Sequence, residues 1–347
     1  MNGRAAMDAA RRGVAENVDA LVGFATRGMS SGVVALRRGL LGQRFIERQV
    51  HDYRLVLDSL DHGVCRQLLA RGAREPEQKA LLEQALEPGM TAFDLGANVG
   101  YYTVMMAKQV GATGCVYAVE PLWESFTLLE RNIRLNRLDH VHLEQVAIDR
   151  EDGVRDLLLS ENSNWHSFQV PELASRAPWC EKYARRIVGA VPVRTRSLAG
   201  YLADKPPIDF LRMDIEGYET VILESLRELP AGAARMRILM ETHPEFYSSA
   251  NDIGPVLTRL CREHGYTIAC LVSDFHFGSR RNPGTEVGAH VFARRGYDER
   301  FIVRQFRNRA IYSGLELDHA IDLISTSECV HAALLLPAGQ ALSSAES

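Results

Sequence analysis

No run of about 18 apolar residues occurs in the sequence, so no membrane-crossing helix is expected. The N-terminal stretch lacks an uninterrupted apolar segment too, because Asp8, Glu16 and Asp19 break it, and a secretory signal is therefore not expected. Cysteine is sparse. Cys65, Cys115, Cys180, Cys261, Cys270 and Cys329 form no C-x-x-C pair, so neither a zinc site nor a redox motif is indicated. They read as scattered reduced thiols, which suits a cytoplasmic protein. Charge of one sign is missing as well: 40 Lys and Arg against 44 Asp and Glu give a net charge of −4. Such a balance argues against gripping a nucleic-acid backbone as the main task.

What is present is an alternation. Strand-like runs stand at 90–96, 115–120, 141–148, 208–214, 237–242, 266–272 and 288–294, and helices fit between them at about 101–109, 122–136, 217–229 and 252–264. Strands alternating with helices of this length imply an α/β fold with a doubly wound, mostly parallel, seven-stranded sheet. Residues 1–43 form a separate helical extension, in which six arginines meet three acids over residues 1–42. It reads as an arm packed on the body or on a second copy of the chain. The alternative is a basic amphipathic helix resting on a membrane surface through residues 1–40. The main domain spans 44–296. An insertion at 149–207, with short strands "VRDLLLS" and "AVPVRTRSL", is a usual place for substrate contacts. Residues 297–347 read as a C-terminal extension, with a helix at "FIVRQFRNRAIY".

Four strand ends carry the chemistry. In "FDLGANVGYYT" a strand ends at Asp94, and Gly96 and Gly100 bracket a tight turn before a helix. Asn98 replaces the middle glycine of a dinucleotide fingerprint, and Asp94 would repel a pyrophosphate. An acid there suits a ligand bearing an amino group or a sulfonium. "VYAVEP" then places Glu120, followed by Pro121, at the end of the next strand, where a carboxylate accepts hydrogen bonds from a ribose diol. "LRMDIEGYE" ends a third strand with Asp214, Glu216 and Glu219, and "METHPEFY" a fourth with Glu241 and His243. Helix capping is the competing reading of the acids after Met213.

Together these segments resemble the FkbM-type branch of the class I S-adenosylmethionine-dependent methyltransferases. The resemblance covers about residues 44–272 and rests on "FDLGANVGYYT", "YAVEP", Asn132 and Asn136 in "ERNIRLN", Ala147 in "EQVAID", "RMDIEGYE" and "METH". Two positions depart from it: Arg212 stands where the family usually has Lys, and Ala199 where it usually has Asp. The resemblance implies S-adenosylmethionine as cofactor and strand order 3-2-1-4-5-7-6 with the last strand antiparallel. It implies that Asp94, Gly96 and Gly100, with Asn98 and Tyr101 in the same turn, surround the methionine end. Glu120 would bind the ribose, and Ala147 and Ile148 would flank the adenine. Hydroxyl oxygens of sugars and secondary metabolites are the implied acceptors; the residues themselves fit a sugar, a polyketide, a peptide or a lipid-linked glycan alike.

A hydroxyl acceptor needs its proton removed as it attacks. Candidate bases are Asp214, Glu216, Glu241, His243 and, on the insertion, His166. A divalent cation held by Asp214 with Glu216 or Glu241 is the alternative. Two rival functions are a NAD-dependent oxidoreductase, which Asn98 opposes, and a non-catalytic module that binds S-adenosylmethionine or a nucleotide.

Overall fold

The computed structural model describes residues 42–169, 187–226, 229, 235–247, 251–274, 301–306, 309–326 and 330–342. The helices expected before residue 41 and the strand expected at 288–294 lie outside these residues. A β-hairpin comes first, β1 (Phe45–Val50) paired antiparallel with β2 (Tyr53–Asp58), followed by helices α1 (Val64–Arg71) and α2 (Pro76–Ala85). The α/β alternation starts at β3 (Thr91–Leu95), α3 (Tyr101–Val110), β4 (Cys115–Val119), α4 (Trp123–Leu135) and β5 (Val141–Glu144). It resumes at α5 (Leu198–Leu202), β9 (Phe210–Met213), α6 (Glu219–Ser225), β10 (Arg237–Glu241), α7 (Ile253–His264) and β11 (Tyr266–Asp274).

The local causes are visible. α7 starts where the Asp252 side chain accepts the Gly254 N–H at 2.9 Å, and it stops at Gly265 in the left-handed conformation. Its Ile253, Val256, Leu257 and Leu260 recur on one buried face. The central strands are buried on both faces, as in a sheet covered by helices on both sides, with Asp94 and Arg212 the charged pair among the apolar residues of β3 and β9. Ala92 and Phe210 belong to one core cluster, with the hairpin and α1–α4; their neighbours Phe93, Leu95, Leu211 and Met213 belong to the other, with α5–α7.

With β12 (Ile302–Gln305), β13 (Arg309–Ser313) and β14 (Val330–Pro337), the sheet has nine strands among the described residues, in the order β12-β13-β11-β14-β10-β9-β3-β4-β5. Its first seven from the β5 edge reproduce the expected class I order, but the antiparallel strand is β14 (Val330–Pro337), which pairs with β10 and β11. Strands from the stretch expected as a C-terminal extension therefore belong to the main sheet. The helix expected at "FIVRQFRNRAIY" is instead the hairpin of β12 (Ile302–Gln305) and β13 (Arg309–Ser313). β-branched and aromatic residues suit that edge, and Ile311 and Tyr312 are buried where they pair with Val272 and Leu271 of β11. α8 (Leu317–Thr326) follows it and packs on α7.

The run expected as one strand at 141–148 is split. β5 closes the main sheet, whereas β6 (Ala147–Asp149) turns away to pair with β8 (Ile187–Ser197), which also pairs with β7 (Gly153–Ser160). β6, β7 and β8 therefore form a three-stranded sheet apart from the main one. Among the described residues no helix is long and apolar enough to cross a membrane.

Candidate active site

A cavity with about 950 Å³ of empty space, its mouth included, opens at the carboxyl ends of β3, β4 and β9. The turn after β3 shapes its floor. Gly96 (φ +79°) brings the backbone so close to β9 that a Cβ there would lie 2.2 Å from the Asp214 carbonyl oxygen. Gly100 (φ +89°) opens α3, and a Cβ there would meet Leu129 Cδ1 at 2.8 Å. Asn98, also left-handed, donates its backbone N–H to Glu120 Oε2 at 2.9 Å. Glu120 Oε1 accepts the Leu122 N–H at 3.0 Å. Burial pushes this carboxyl up to about 7, although the two amides pull it down. Glu120 is only 6% exposed, yet it lines the cavity.

Of the residues expected around a cofactor, Gly96, Asn98, Tyr101, Glu120, Pro121, Ala147 and Ile148 line this cavity. Asp94 and Gly100 are not among its lining residues. Asp94 is fully buried behind the turn, accepting the Thr103 hydroxyl at 2.6 Å and an Arg212 N–H at 3.2 Å. Burial raises its carboxyl, and Arg212 and Thr103 pull it back. Its place is to hold Arg212. Gly100 is a packing position between α3 and α4. Asn132 and Asn136 are ties as well: Asn132 accepts the Val56 N–H at 2.6 Å and donates to Val99 O at 2.8 Å, and Asn136 donates to Arg54 O at 2.7 Å.

Arg212 explains its own departure from lysine. Its Nη1 donates to Asp94 and to the Gly96 carbonyl, both at 3.2 Å, while Nη2 donates to Asp214 Oδ2 at 2.8 Å. The guanidinium lies 4.2 Å from the Tyr102 ring centroid. A planar fork serves these directions at once, where an ammonium is a single point charge.

The acids at the other strand ends gather around His243. Its Nδ1 lies 2.9 Å from Glu219 Oε1, and its Nε2 lies 3.5 Å from Glu216 Oε2 and 3.8 Å from Asp214 Oδ1. Ligand atoms of Asp214, Glu216 and His243 all fall within 4.8 Å of one another. Asp214 and Glu216 line the cavity; His243 and Glu241 are not among its lining residues. Burial raises Asp214, but Arg212, His243 and Arg74 more than offset it, so its carboxyl sits below the usual range. Burial and the Asp214 and Glu75 carboxylates push Glu241 well above it. Glu241 thereby holds its proton more tightly than a free carboxyl does. Of the acids after Met213, Glu219 alone stands in the first turn of α6, yet no side chain caps that helix: Glu219 accepts the Ile215 and Gly217 N–H groups of the preceding loop at 3.4 and 3.3 Å. Asp214 lies four residues before Tyr218, the N-cap of α6, and binds Arg212 instead.

His166 also lines the cavity, but its Nδ1 accepts the Ser160 N–H at 3.0 Å, which places the proton on Nε2. Burial lowers its pKa to about 4. It stands as a neutral donor, not a base. Sequence reasoning missed Arg74, Tyr102, Leu157, Phe168 and Tyr218, which complete the wall. Arg74 comes from upstream, Tyr102 from α3, Leu157 and Phe168 from the insertion, and Tyr218 from the loop after β9. Tyr102, Leu157 and Tyr218 lie inside "FDLGANVGYYT", "VRDLLLS" and "LRMDIEGYE", whereas Arg74 and Phe168 have no local signature.

The family model of the Methyltransferase FkbM domain matches residues 94–268, half of the chain. A 72-residue stretch is 36% identical to a protein-L-isoaspartate O-methyltransferase of Caenorhabditis elegans, covering 21% of this chain and 32% of that protein. The chain thus spans about a third of the length of the curated relative it matches. Among solved structures, a SAM-dependent methyltransferase from Aquifex aeolicus is 19% identical, covering 57% of this chain and 83% of its own, with a TM-score of 0.33. A precorrin-6y C5,15-methyltransferase from Geobacter metallireducens is 11% identical, covering 76% and 90%, with a TM-score of 0.34.

Proposed function

The chain belongs to the FkbM methyltransferase domain family, and on that premise we propose that it transfers a methyl group from S-adenosylmethionine to a hydroxyl oxygen of a sugar or secondary metabolite. The observation that carries the reading is Glu120. This buried carboxylate faces the cavity at the end of β4, with Ala147 and Ile148 beside it. Its oxygens would accept the ribose hydroxyls, while the apolar pair flanks the adenine. The methyl then points toward the wall where Asp214 and Glu216 stand.

Transfer forms an O–C bond and breaks the C–S bond, releasing S-adenosylhomocysteine. The methyl is already activated, so alignment and exclusion of water supply much of the rate. The hydroxyl proton passes to the Asp214–Glu216–His243 cluster. Glu219 holds His243 Nδ1, which leaves Nε2 as the acceptor. The same three ligand atoms within 4.8 Å favour a second reading, a divalent cation that acidifies the hydroxyl directly. EDTA that abolishes turnover, with Mg²⁺ restoring it, selects the cation; turnover indifferent to EDTA selects the base.

Calorimetry tests the whole reading. S-adenosylhomocysteine binds at micromolar levels and NAD does not; the reverse result ends the methyltransferase proposal.

A further inference from the structure

Arg74 and Glu75 lie upstream of the span that the family model matches. Both side chains are largely buried, at 9% and 12% exposure, and they pair through Arg74 Nη2 and Glu75 Oε1. Arg74 lines the cavity, and its buried Nε has no hydrogen-bond partner. Leaving such a donor dry and unpaired is costly, and a ligand that accepts from it removes the cost.

The surroundings hold this pair in place. Glu75 adopts the left-handed conformation (φ +45°), rare for a residue with a side chain, and accepts the Tyr102 hydroxyl at 2.8 Å. The Tyr101 hydroxyl donates to the Arg74 carbonyl at 2.8 Å and accepts the Arg74 N–H at 3.3 Å. His51, at the turn of the first hairpin, lies 3.0 Å from the same hydroxyl. The hairpin and α3 thus fix the Arg74 backbone through the Tyr101 hydroxyl, and Glu75, itself held by Tyr102, fixes the guanidinium.

Its charge fits one end of the donor. Given the methyltransferase reading above, on which this inference rests, Glu120, Ala147 and Ile148 occupy the nucleoside end. The amino-acid arm then runs past Gly96, carrying an ammonium and a carboxylate. Asp214 and Glu216 on that wall attract the ammonium and repel the carboxylate. Arg212 spends both terminal nitrogens on Asp94, Asp214 and the Gly96 carbonyl. Among the described cavity residues, Arg74 is the cation that keeps a buried N–H without a partner. We propose that Arg74, positioned by Glu75, binds the carboxylate of the amino-acid arm of S-adenosylmethionine.

The test is calorimetry on the full chain with three ligands. These are S-adenosylhomocysteine, its decarboxylated analogue that keeps the ammonium, and 5′-methylthioadenosine, which lacks the arm. The wild type is expected to bind S-adenosylhomocysteine about 10- to 100-fold more tightly than the decarboxylated analogue, the scale of a charge-assisted hydrogen bond. Arg74→Gln is expected to shrink that preference to within about threefold, with 5′-methylthioadenosine affinity unchanged within about twofold. Arg74→Lys, which keeps the charge without the fork, should give an intermediate preference and serves if the Gln variant does not fold. A wild type that binds the decarboxylated analogue equally well overturns the proposal, and so does a variant that weakens all three ligands alike. A wild type that binds none of the three overturns the methyltransferase reading itself.

Discussion

The two ends of the cavity use the same residue types to opposite effect. At the β4 end Glu120 is buried with only two backbone amides for company, and its carboxyl rises to about 7. At the β9–β10 end Asp214 is half-buried, Arg212 lies 2.8 Å away, and its carboxyl falls below the usual range. The histidines differ in their surroundings. His166, with no carboxylate at hydrogen-bond distance, is driven down to about 4, whereas His243 sits among Asp214, Glu216 and Glu219. Burial alone therefore does not decide protonation here; the nearest opposite charge does.

The contrast breaks most visibly at Arg212. Arg212→Met leaves the buried Asp94 and the half-buried Asp214 without their common partner, and a loss of about 3–5 kcal/mol in urea unfolding is expected. A loss below about 1 kcal/mol would mean that the fork is dispensable.

Glu120 sharpens it through pH. Its folded pKa of about 7 lies above the ordinary 4.5, so the folded state holds the proton more tightly than the unfolded state. Stability is then greatest at low pH and falls as pH rises from about 4.5 through 7, by on the order of 3 kcal/mol in total. Glu120→Gln should remove that component of the pH dependence, read from urea midpoints between pH 5 and 8. The same variant should flatten a rise in S-adenosylhomocysteine affinity over this range. A wild-type stability curve without that fall would place Glu120 in wetter surroundings than the structure gives it.

The smallest effect belongs to His166. His166→Gln keeps a donor at the cavity wall and should leave both the rate within about threefold and its pH profile unshifted. A pH profile that moves with this change would transfer the proton-accepting role from the His243 cluster to the insertion.

Several of these features were legible in the chain. Asp214, Glu216, Glu241 and His243 follow apolar runs, and such runs end at one edge of a parallel sheet, so their neighbourhood followed from periodicity. Which of them face the cavity did not. Asp94 closes a strand as clearly as Glu120 does, yet one side chain turns into the sheet toward Arg212 and the other toward open space. The segment 302–313 has enough apolar residues for either a helix or a hairpin, and it pairs as strands because β11 offers an open edge. A partner 40 residues away in sequence leaves no local trace.

By itself the sequence determined the order of β3, α3, β4, α4, β9, β10 and β11, the glycine turn after β3, and the residue types at the strand ends. These follow from side-chain period and backbone freedom, which act over a few residues. The tertiary structure decided that Val330–Pro337 enters between β10 and β11, that Ala147 and Ile148 leave the main sheet to wall the cavity, and that Arg74 reaches it from upstream. It also decided which carboxyls are charged, because desolvation and the distance to a guanidinium depend on segments more than a hundred residues apart, as Asp94 and Arg212 are.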